Sequence, residues 1–282
     1  MPSQAEKAEI FKALHEQETA FILPNPWDVG GAQMLTGLGA KALATTSAGH
    51  AFTLGKFDSS GGVTREEAIA HAADIVHATP LPVSADLENG YGDSPDAVAE
   101  TVRAAIAVGL AGCSIEDSTM NREAPSYDFE SAVARIKAGV DVARSAGFPF
   151  QFCARADGVM IGAYDVNEAI RRLRAFEEVG ADVLYAPLLP DLDALKTVTS
   201  SVSKPVNALA YGKLAEASLD ELSNAGAKRV SIGGGLFNAA QEAFFNAASA
   251  MFAEGDFSTL AGLSAGRSIH KARKAGIATL EG

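Results

Sequence analysis

Three acidic residues occupy positions from which they could form a metal site. Asp86 and Glu88 alternate along one apolar run, and Glu116 lies near the end of the next apolar run. If both runs are strands, alternation places the three side chains on one face at neighbouring strand ends. Buried carboxylates are costly, and a hard divalent cation bound through oxygen, directly and through water, offsets that cost. The pattern favours Mg²⁺, and it leaves one alternative open, in which Arg155 neutralises the acids in a structural ion-pair network.

Other polar residues follow the remaining apolar runs of the chain. They are Asn25 and Asp28, Ser47 to His50, Arg155 and Asp157, Tyr185, Asn207, and Ser231 to Gly235. Arg155 has the strand parity that directs it to the same side as the acids. His50 is left open between an acid–base role and simple packing. Cys113 and Cys153 lack a CxxC spacing, so we expect reduced core residues and not a disulfide or a zinc site.

Eight short apolar runs alternate with eight amphipathic stretches. The predicted strands are 21–25, 42–47, 81–88, 112–117, 150–157, 182–187, 205–210 and 229–234. The predicted helices are 28–38, 64–78, 95–108, 129–146, 166–179, 191–200, 216–225 and 236–253. Near-continuous apolar runs separated by helices indicate parallel strands buried on both faces. We therefore predict an α/β fold, a single (β/α)₈ barrel domain over residues 1–282, with 256–282 as a C-terminal helical extension. Such barrels hold their sites at the carboxyl ends of the strands, where the acids and Arg155 fall.

Composition and charge exclude several classes of function. The chain has 282 residues, 48% hydrophobic and 21% charged, which is typical of a globular protein and not of a disordered one. A net charge of −12 without a basic run makes nucleic acid and anionic membranes unsuitable partners. The amino-terminal stretch is polar, and no run approaches the roughly 18 apolar residues that span a membrane. We expect a cytoplasmic protein with a small-molecule ligand.

The segment Asp86 to Gly92, DLENGYG, resembles the acidic DxDxGYG or DxDxGFG motif of the isocitrate lyase/phosphoenolpyruvate mutase superfamily. Further segments follow the order of that family. They are NPWD (25–28), SAG (47–49), LGKFD (54–58), IED (115–117), ARAD (154–157), NALAYG (207–212) and VSIGG (230–234). Each segment is weak alone, but their order from about residue 20 to residue 240 makes the resemblance specific.

The resemblance implies a metal-dependent barrel that assembles with copies of itself. Family members are commonly homodimers or homotetramers in which the last barrel helix is swapped between subunits. They bind Mg²⁺, with Mn²⁺ as a substitute, and a 2-oxo acid or its enolate. By motif, Asp86 would bind the metal directly, while Asp58, Glu88 and Glu116 would act largely through water.

The resemblance also implies where a carboxylate substrate would bind. Backbone N–H groups of a loop formed by Ser47, Ala48 and Gly49 would hold its carboxylate, and the planar guanidinium of Arg155 would hold its anionic group. Further candidate substrate contacts are Trp27, Asp28 and Asn207. The candidate catalytic residues are Arg155, Glu116, Asn121 and Tyr91.

Some positions depart from the family pattern. Glu88 stands where Asp is usual, and NALAYG lacks the Thr and Glu of the lyases. The stretch from Ser118 to Tyr127 lacks the cysteine-containing loop of the isocitrate and methylisocitrate lyases, as well as the longer loop of the mutases. We expect a Mg²⁺-dependent C–C lyase or decarboxylase of a small 2-oxo acid or 2-hydroxy di- or tricarboxylate, acting through an enolpyruvate-like intermediate. The alternatives are a phosphonopyruvate-type P–C hydrolase or phosphomutase, a catalytically reduced 2-oxo-acid-binding protein, and an unrelated phosphate-binding barrel.

Overall fold

Eight short parallel strands form the centre of the fold in a computed structural model that describes residues 1–261 and 266–281. They are β1 (Phe21–Leu23), β2 (Leu43–Ala44), β3 (Val83–Asp86), β4 (Gly112–Glu116), β5 (Gln151–Arg155), β6 (Val183–Tyr185), β7 (Val206–Leu209) and β8 (Arg229–Ser231). The strand order is β1-β8-β7-β6-β5-β4-β3-β2. The Ala44 N–H donates to the Pro24 carbonyl at 3.0 Å, which joins β2 to the β1 side and closes the circle. The predicted (β/α)₈ barrel is confirmed.

Helices surround the strands at nearly all the predicted positions. They are α1 (Gln4–His15), α2 (Val29–Gly37), α3 (Ser47–Thr53), α4 (Arg65–His77), α5 (Pro95–Ala107), α6 (Phe129–Arg144), α7 (Gly158–Ile161), α8 (Val166–Glu178), α9 (Leu192–Ser200), α10 (Leu219–Asn224), α11 (Gly235–Glu254) and α12 (Arg267–Glu281). The sequence gives local reasons for their ends. Thr64 and Glu67 form a reciprocal capping box at the start of α4. Gly109 follows α5 with φ +94°, a conformation that favours glycine, and turns the chain into β4.

The core lies between the strands and the helices. β4 and β5 are buried along their whole lengths, as expected of strands covered on both faces. Cys113 and Cys153 are free and buried, as predicted. No helix within residues 1–261 and 266–281 is long and apolar enough to cross a membrane.

The two carboxyl-terminal helices differ in how they pack. α11 buries Phe237 but leaves Phe244, Phe245 and Phe252 exposed by 70%, 68% and 89%. α12 lies against α2, where a Cβ on Gly276 would come 1.9 Å from the Gln33 carbonyl oxygen. The predicted C-terminal helical extension is therefore present as α12, and residues 262–265 and 282 of that extension lie outside the described part of the chain.

Candidate active site

A cavity of about 220 Å³ opens at the carboxyl ends of the strands. Its mouth is lined by Ser47, Asp58, Asp86 and Arg155. Below them the polar side chains of Asn25, Thr45, Ser84, Ser114 and Ser231 share the wall with apolar ones such as Leu23, Leu209 and Ile232, and the aromatic ring of Tyr185 forms one side. A cavity of this size suits a small molecule, and its polar groups can fix the orientation of a carboxylate.

Arg155 holds three carboxylates together at the end of β5. Its Nη1 donates to Asp86 Oδ1 at 2.7 Å, and its Nη2 lies 3.0 Å from Glu116 Oε2. Nε and Nη2 form a fork to Asp157 at 3.1 and 2.8 Å. Strand parity brought Arg155 to the acids as predicted, and it neutralises them in part. The ion-pair network that the sequence left open is thus present in this structure.

Asp86, the last residue of β3, is also bound from the side of β2. Its Oδ2 accepts from the Ser47 N–H at 3.3 Å and from the Ser47 hydroxyl at 2.9 Å. The structure corrects the loop expected at Ser47–Gly49, which is instead the first turn of α3. It is helical because the Thr46 hydroxyl caps the turn by accepting from the Gly49 N–H.

More negative charge is gathered here than Arg155 can offset. Burial, followed by the charges of Asp58 and Asp86, raises the pKa of Glu88 to about 8. Loss of hydration among the neighbouring residues, and then the negative charge of Asp86, raises the pKa of Asp58. Burial also raises the pKa of Glu116, against the opposing effect of Arg155. Crowded carboxylates are the donor set that hard divalent cations prefer.

A preformed three-ligand metal cluster is not found among residues 1–261 and 266–281. Among the carboxylates of the described residues, Asp86 and Asp58 line the cavity and offer oxygen donors to a cation there. Asp86 is the best placed for direct contact, because its side chain lines the cavity and is 20% exposed. Asp58 lines the same cavity, whereas Glu88 and Glu116 lie behind its wall and are buried.

Four of the expected substrate contacts do not line the cavity: Gly49, whose N–H donates to the Thr46 hydroxyl, and three side chains. Trp27 packs edge-on against Phe237, with ring centroids 5.6 Å apart. Asp28 caps α2, where its Oδ1 accepts from the Gly31 N–H at 2.6 Å. Asn207 is fully buried. Its Nδ2 donates to the Ser231 hydroxyl, and its Oδ1 accepts from Arg229 Nε. Packing and local hydrogen bonds therefore occupy all three side chains.

Two of the expected catalytic residues also lie away from the cavity. Tyr91, with φ +58°, lines a separate pocket beside Glu88 and Met120. Asn121 is exposed, and its Oδ1 accepts from the Glu123 N–H at 2.9 Å within the same loop. Neither side chain lines the cavity that holds Arg155 and Asp86.

The loop from Ser118 to Tyr127 is held by hydrogen bonds within the loop and by one to Asp93. A β-bridge joins Ser118 to Ser126, and the Thr119 hydroxyl donates to the Ala124 carbonyl at 2.6 Å. The Tyr127 hydroxyl donates to Asp93 at 2.6 Å. Burial and this hydrogen bond to Asp93 raise the pKa of Tyr127 to about 12. None of the cavity's lining residues comes from this loop.

Two buried residues had no assigned part in the sequence prediction. Asp117 Oδ2 accepts from Tyr164 at 2.6 Å and from Arg172 at 2.8 Å, while its Oδ1 accepts from the Asp157 N–H at 2.8 Å. It thus fixes the strand end that carries Arg155. Arg229 lines the depth of the cavity, and its strand parity with Ser231 was the signal that could have found it.

Comparison with known proteins agrees with this geometry. The family model of phosphoenolpyruvate phosphomutase matches residues 11–252. A crystal structure from Burkholderia cenocepacia J2315, described only as a lyase or mutase, is 47% identical, covers 95% of both chains and superposes with a TM-score of 0.89. An uncharacterized protein of Mycobacterium tuberculosis is 35% identical over 248 residues, 86% of this chain and 88% of the other. The 2-methylisocitrate lyase of Shewanella oneidensis is 28% identical over 232 residues, 79% of this chain and 78% of the other.

Proposed function

The chain belongs to the phosphoenolpyruvate phosphomutase family, and on that premise we propose that it is a Mg²⁺-dependent C–C lyase or decarboxylase. Its substrate is a small 2-oxo acid or 2-hydroxy di- or tricarboxylate that passes through an enolpyruvate-like intermediate. The chain is an enzyme of the superfamily that unites isocitrate lyases with these mutases. The observation that carries the proposal is the crowded carboxylate mouth around Arg155, above a cavity of about 220 Å³.

The residues of the mouth have different roles in binding the metal and the enolate. Asp86 is the direct metal ligand, with Asp58, Glu88 and Glu116 acting through water. When bound, Mg²⁺ supplies the positive charge that stabilises the enolate oxygens. Arg155 contributes a fixed cation, and its Nη1 has one N–H beyond the bond to Asp86 that can donate to the substrate. Ser47 orients Asp86 through two hydrogen bonds.

Decarboxylation is the reaction that best suits the loop from Ser118 to Tyr127. A lyase that releases succinate must protonate a carbanion, and this loop offers no Cys, His or Lys as the acid. Decarboxylation of a 3-carboxy-2-oxo acid releases CO₂ and leaves a pyruvate enolate. That enolate takes its proton at carbon from water, so the reaction needs no acid on the loop.

A turnover assay with oxaloacetate, phosphonopyruvate and 2-methylisocitrate, each with Mg²⁺ or with chelator, tests the proposal. We expect Mg²⁺-dependent pyruvate release from oxaloacetate that exceeds the spontaneous reaction. Asp86→Asn should reduce the rate to background, while Asp141→Asn, which alters an exposed carboxylate, serves as the matched control. Pyruvate release equal in wild type and Asp86→Asn would contradict the proposal. Cleavage of phosphonopyruvate alone would favour P–C chemistry. Thermal stabilisation of the protein by one of these compounds, without turnover, would indicate a binding protein.

We also propose that the chain is one domain and forms a homodimer or homotetramer. The support is the carboxyl-terminal half of α11, where Phe244, Phe245 and Phe252 are exposed together. Such an apolar face is typical of an interface, and a helix swapped between subunits would cover it. Sedimentation of wild type against Phe245→Glu tests this, and a monomeric wild type would contradict it.

A further inference from the structure

A buried arginine lies inside the barrel beneath the acidic mouth. Arg229 begins β8, is 4% exposed and is one of the residues that line the cavity. Its Nε donates to Asn207 Oδ1 at 2.7 Å, and its Nη2 donates to Cys153 Sγ at 3.0 Å. Its Nη1 is buried and has no hydrogen-bond partner in the described part of the chain. The side chain is therefore held in place with one donor nitrogen unused.

The charge of Arg229 has no counter-ion close to it. Among residues 1–261 and 266–281, no Asp or Glu oxygen lies within the 4.0 Å that defines an ion pair with this guanidinium. Asn207 is a neutral amide, and burial raises the pKa of the Cys153 thiol, so that neighbour is also uncharged. By contrast, Arg155 is matched with three carboxylates. A buried, unneutralised cation is costly, and an anion next to it removes the cost.

We propose that Arg229 forms an anion-binding subsite at the floor of the cavity, and that it binds a carboxylate or a small inorganic anion entering from the mouth. Cys153, which Arg229 contacts, precedes Arg155 by two residues on β5, so about 7 Å of strand separates the floor from the mouth. A short dicarboxylate spans such a distance. If the occupant is the second carboxylate of a substrate, the subsite rests on the proposed function and selects dicarboxylates. A free anion such as chloride is the other source of the same chemistry.

Serine hydroxyls in the wall of the cavity support this assignment. Ser84, Ser114 and Ser231 line the cavity between Arg229 and the mouth and offer hydroxyl donors to an anion. Asn207 donates from its Nδ2 to the Ser231 hydroxyl at 2.8 Å, which leaves its carbonyl oxygen directed at Arg229. Apolar side chains such as Leu23 and Leu209 also line the cavity, but an anion beside Arg229 gains a cation and several hydroxyl donors.

The test uses metal-free protein in a chloride-free buffer and measures binding of chloride, acetate, succinate and glutarate by calorimetry. Asn207→Asp keeps the size of the side chain but gives Arg229 an internal counter-ion, and Arg229→Met removes the charge. We expect wild type to bind chloride or a dicarboxylate, and both variants to bind at least tenfold more weakly. Lys137→Met, which removes an exposed cation, is the matched control and should bind like wild type.

The outcomes separate the two sources of the anion and can overturn the proposal. Dicarboxylate binding that chloride does not compete with indicates a substrate carboxylate, and chloride binding alone indicates a free anion. Wild type that binds none of the probes, or Asn207→Asp that binds them unchanged, overturns the subsite. If neither variant folds, Arg229→Gln decides, because it keeps hydrogen-bond donors but removes the charge, and unchanged affinity would also overturn the subsite. These probes need neither Mg²⁺ nor turnover, so their failure leaves the Asp86 site unaffected.

Discussion

Burial of a neutral histidine makes the stability of this barrel depend on pH. His15, at the end of α1, is packed edge-on against Phe11 and Phe21, with ring centroids 4.7 and 5.1 Å away. Its Nδ1–H donates to the Phe11 carbonyl at 2.7 Å, and its Nε2 is buried without a partner in the described residues. Burial, and then the charge of Arg229, lowers the pKa of His15 from 6.5 to about 3.

The size and sign of the effect follow from the two pKa values. Because the folded pKa lies below the unfolded one, the unfolded chain takes up a proton on His15 first as the pH falls. The contribution of His15 to stability is complete above pH 6.5 and is lost progressively as the pH falls toward about 3. One pKa unit corresponds to about 1.4 kcal/mol, so between pH 7.5 and pH 5 the free energy of unfolding should fall by about 2 kcal/mol through His15.

Urea denaturation at several pH values between 7.5 and 5 measures this. His15→Asn keeps a donor near the position of Nδ1 and removes the titration, so its free energy of unfolding should fall by about 2 kcal/mol less than that of wild type. His77→Asn, at an exposed position, is the matched control and should follow wild type. If wild type and His15→Asn lose stability in parallel, His15 is not a buried neutral group and the reasoning fails.

Three further predictions concern folding and substrate choice. Asp117→Asn should cost about 1.5–3 kcal/mol in urea denaturation, because it replaces the carboxylate 2.8 Å from Arg172 by a neutral amide and leaves Glu168 as the remaining carboxylate partner; an unchanged free energy of unfolding would count against this. Gly276→Val should lower the melting temperature and cost about 1–3 kcal/mol or more, because even a Cβ would lie 1.9 Å from the Gln33 carbonyl; an unchanged melting curve would mean that α12 does not pack on α2. 2-Methylisocitrate should not be cleaved at a useful rate, because a missing acid forfeits about 10²–10⁴-fold; robust succinate release in a coupled assay would contradict the argument from the loop.

The fold could be predicted from the sequence because its periodicity is simple. Buried strands such as β4 and β5 are continuous apolar runs, and the stretches between them repeat at helical spacing. The short helices α3 and α7 carry too few residues to show a period, so Ser47–Gly49 was expected to be a loop. Its capping by Thr46 is a hydrogen bond that periodicity does not encode.

The candidate site was predicted only where strand parity applies. Parity brought Asp86, Glu116 and Arg155 together, because alternate residues of a strand share a face. Parity says nothing about Asp28, which caps a helix instead of meeting the cavity. Arg229 was missed because it begins its strand, at the end opposite to the one where barrel chemistry is sought.

The central claim is that the carboxylate mouth binds a divalent cation and an enolate-like ligand together. Calorimetric titration of oxalate, a mimic of enolpyruvate, into wild type and Asp86→Asn, with Mg²⁺ or with chelator, tests it most directly. We predict that wild type binds oxalate with Mg²⁺, loses that binding in chelator, and binds at least tenfold more tightly than Asp86→Asn. Equal oxalate affinity with and without Mg²⁺, or equal affinity in the two proteins, would contradict the claim.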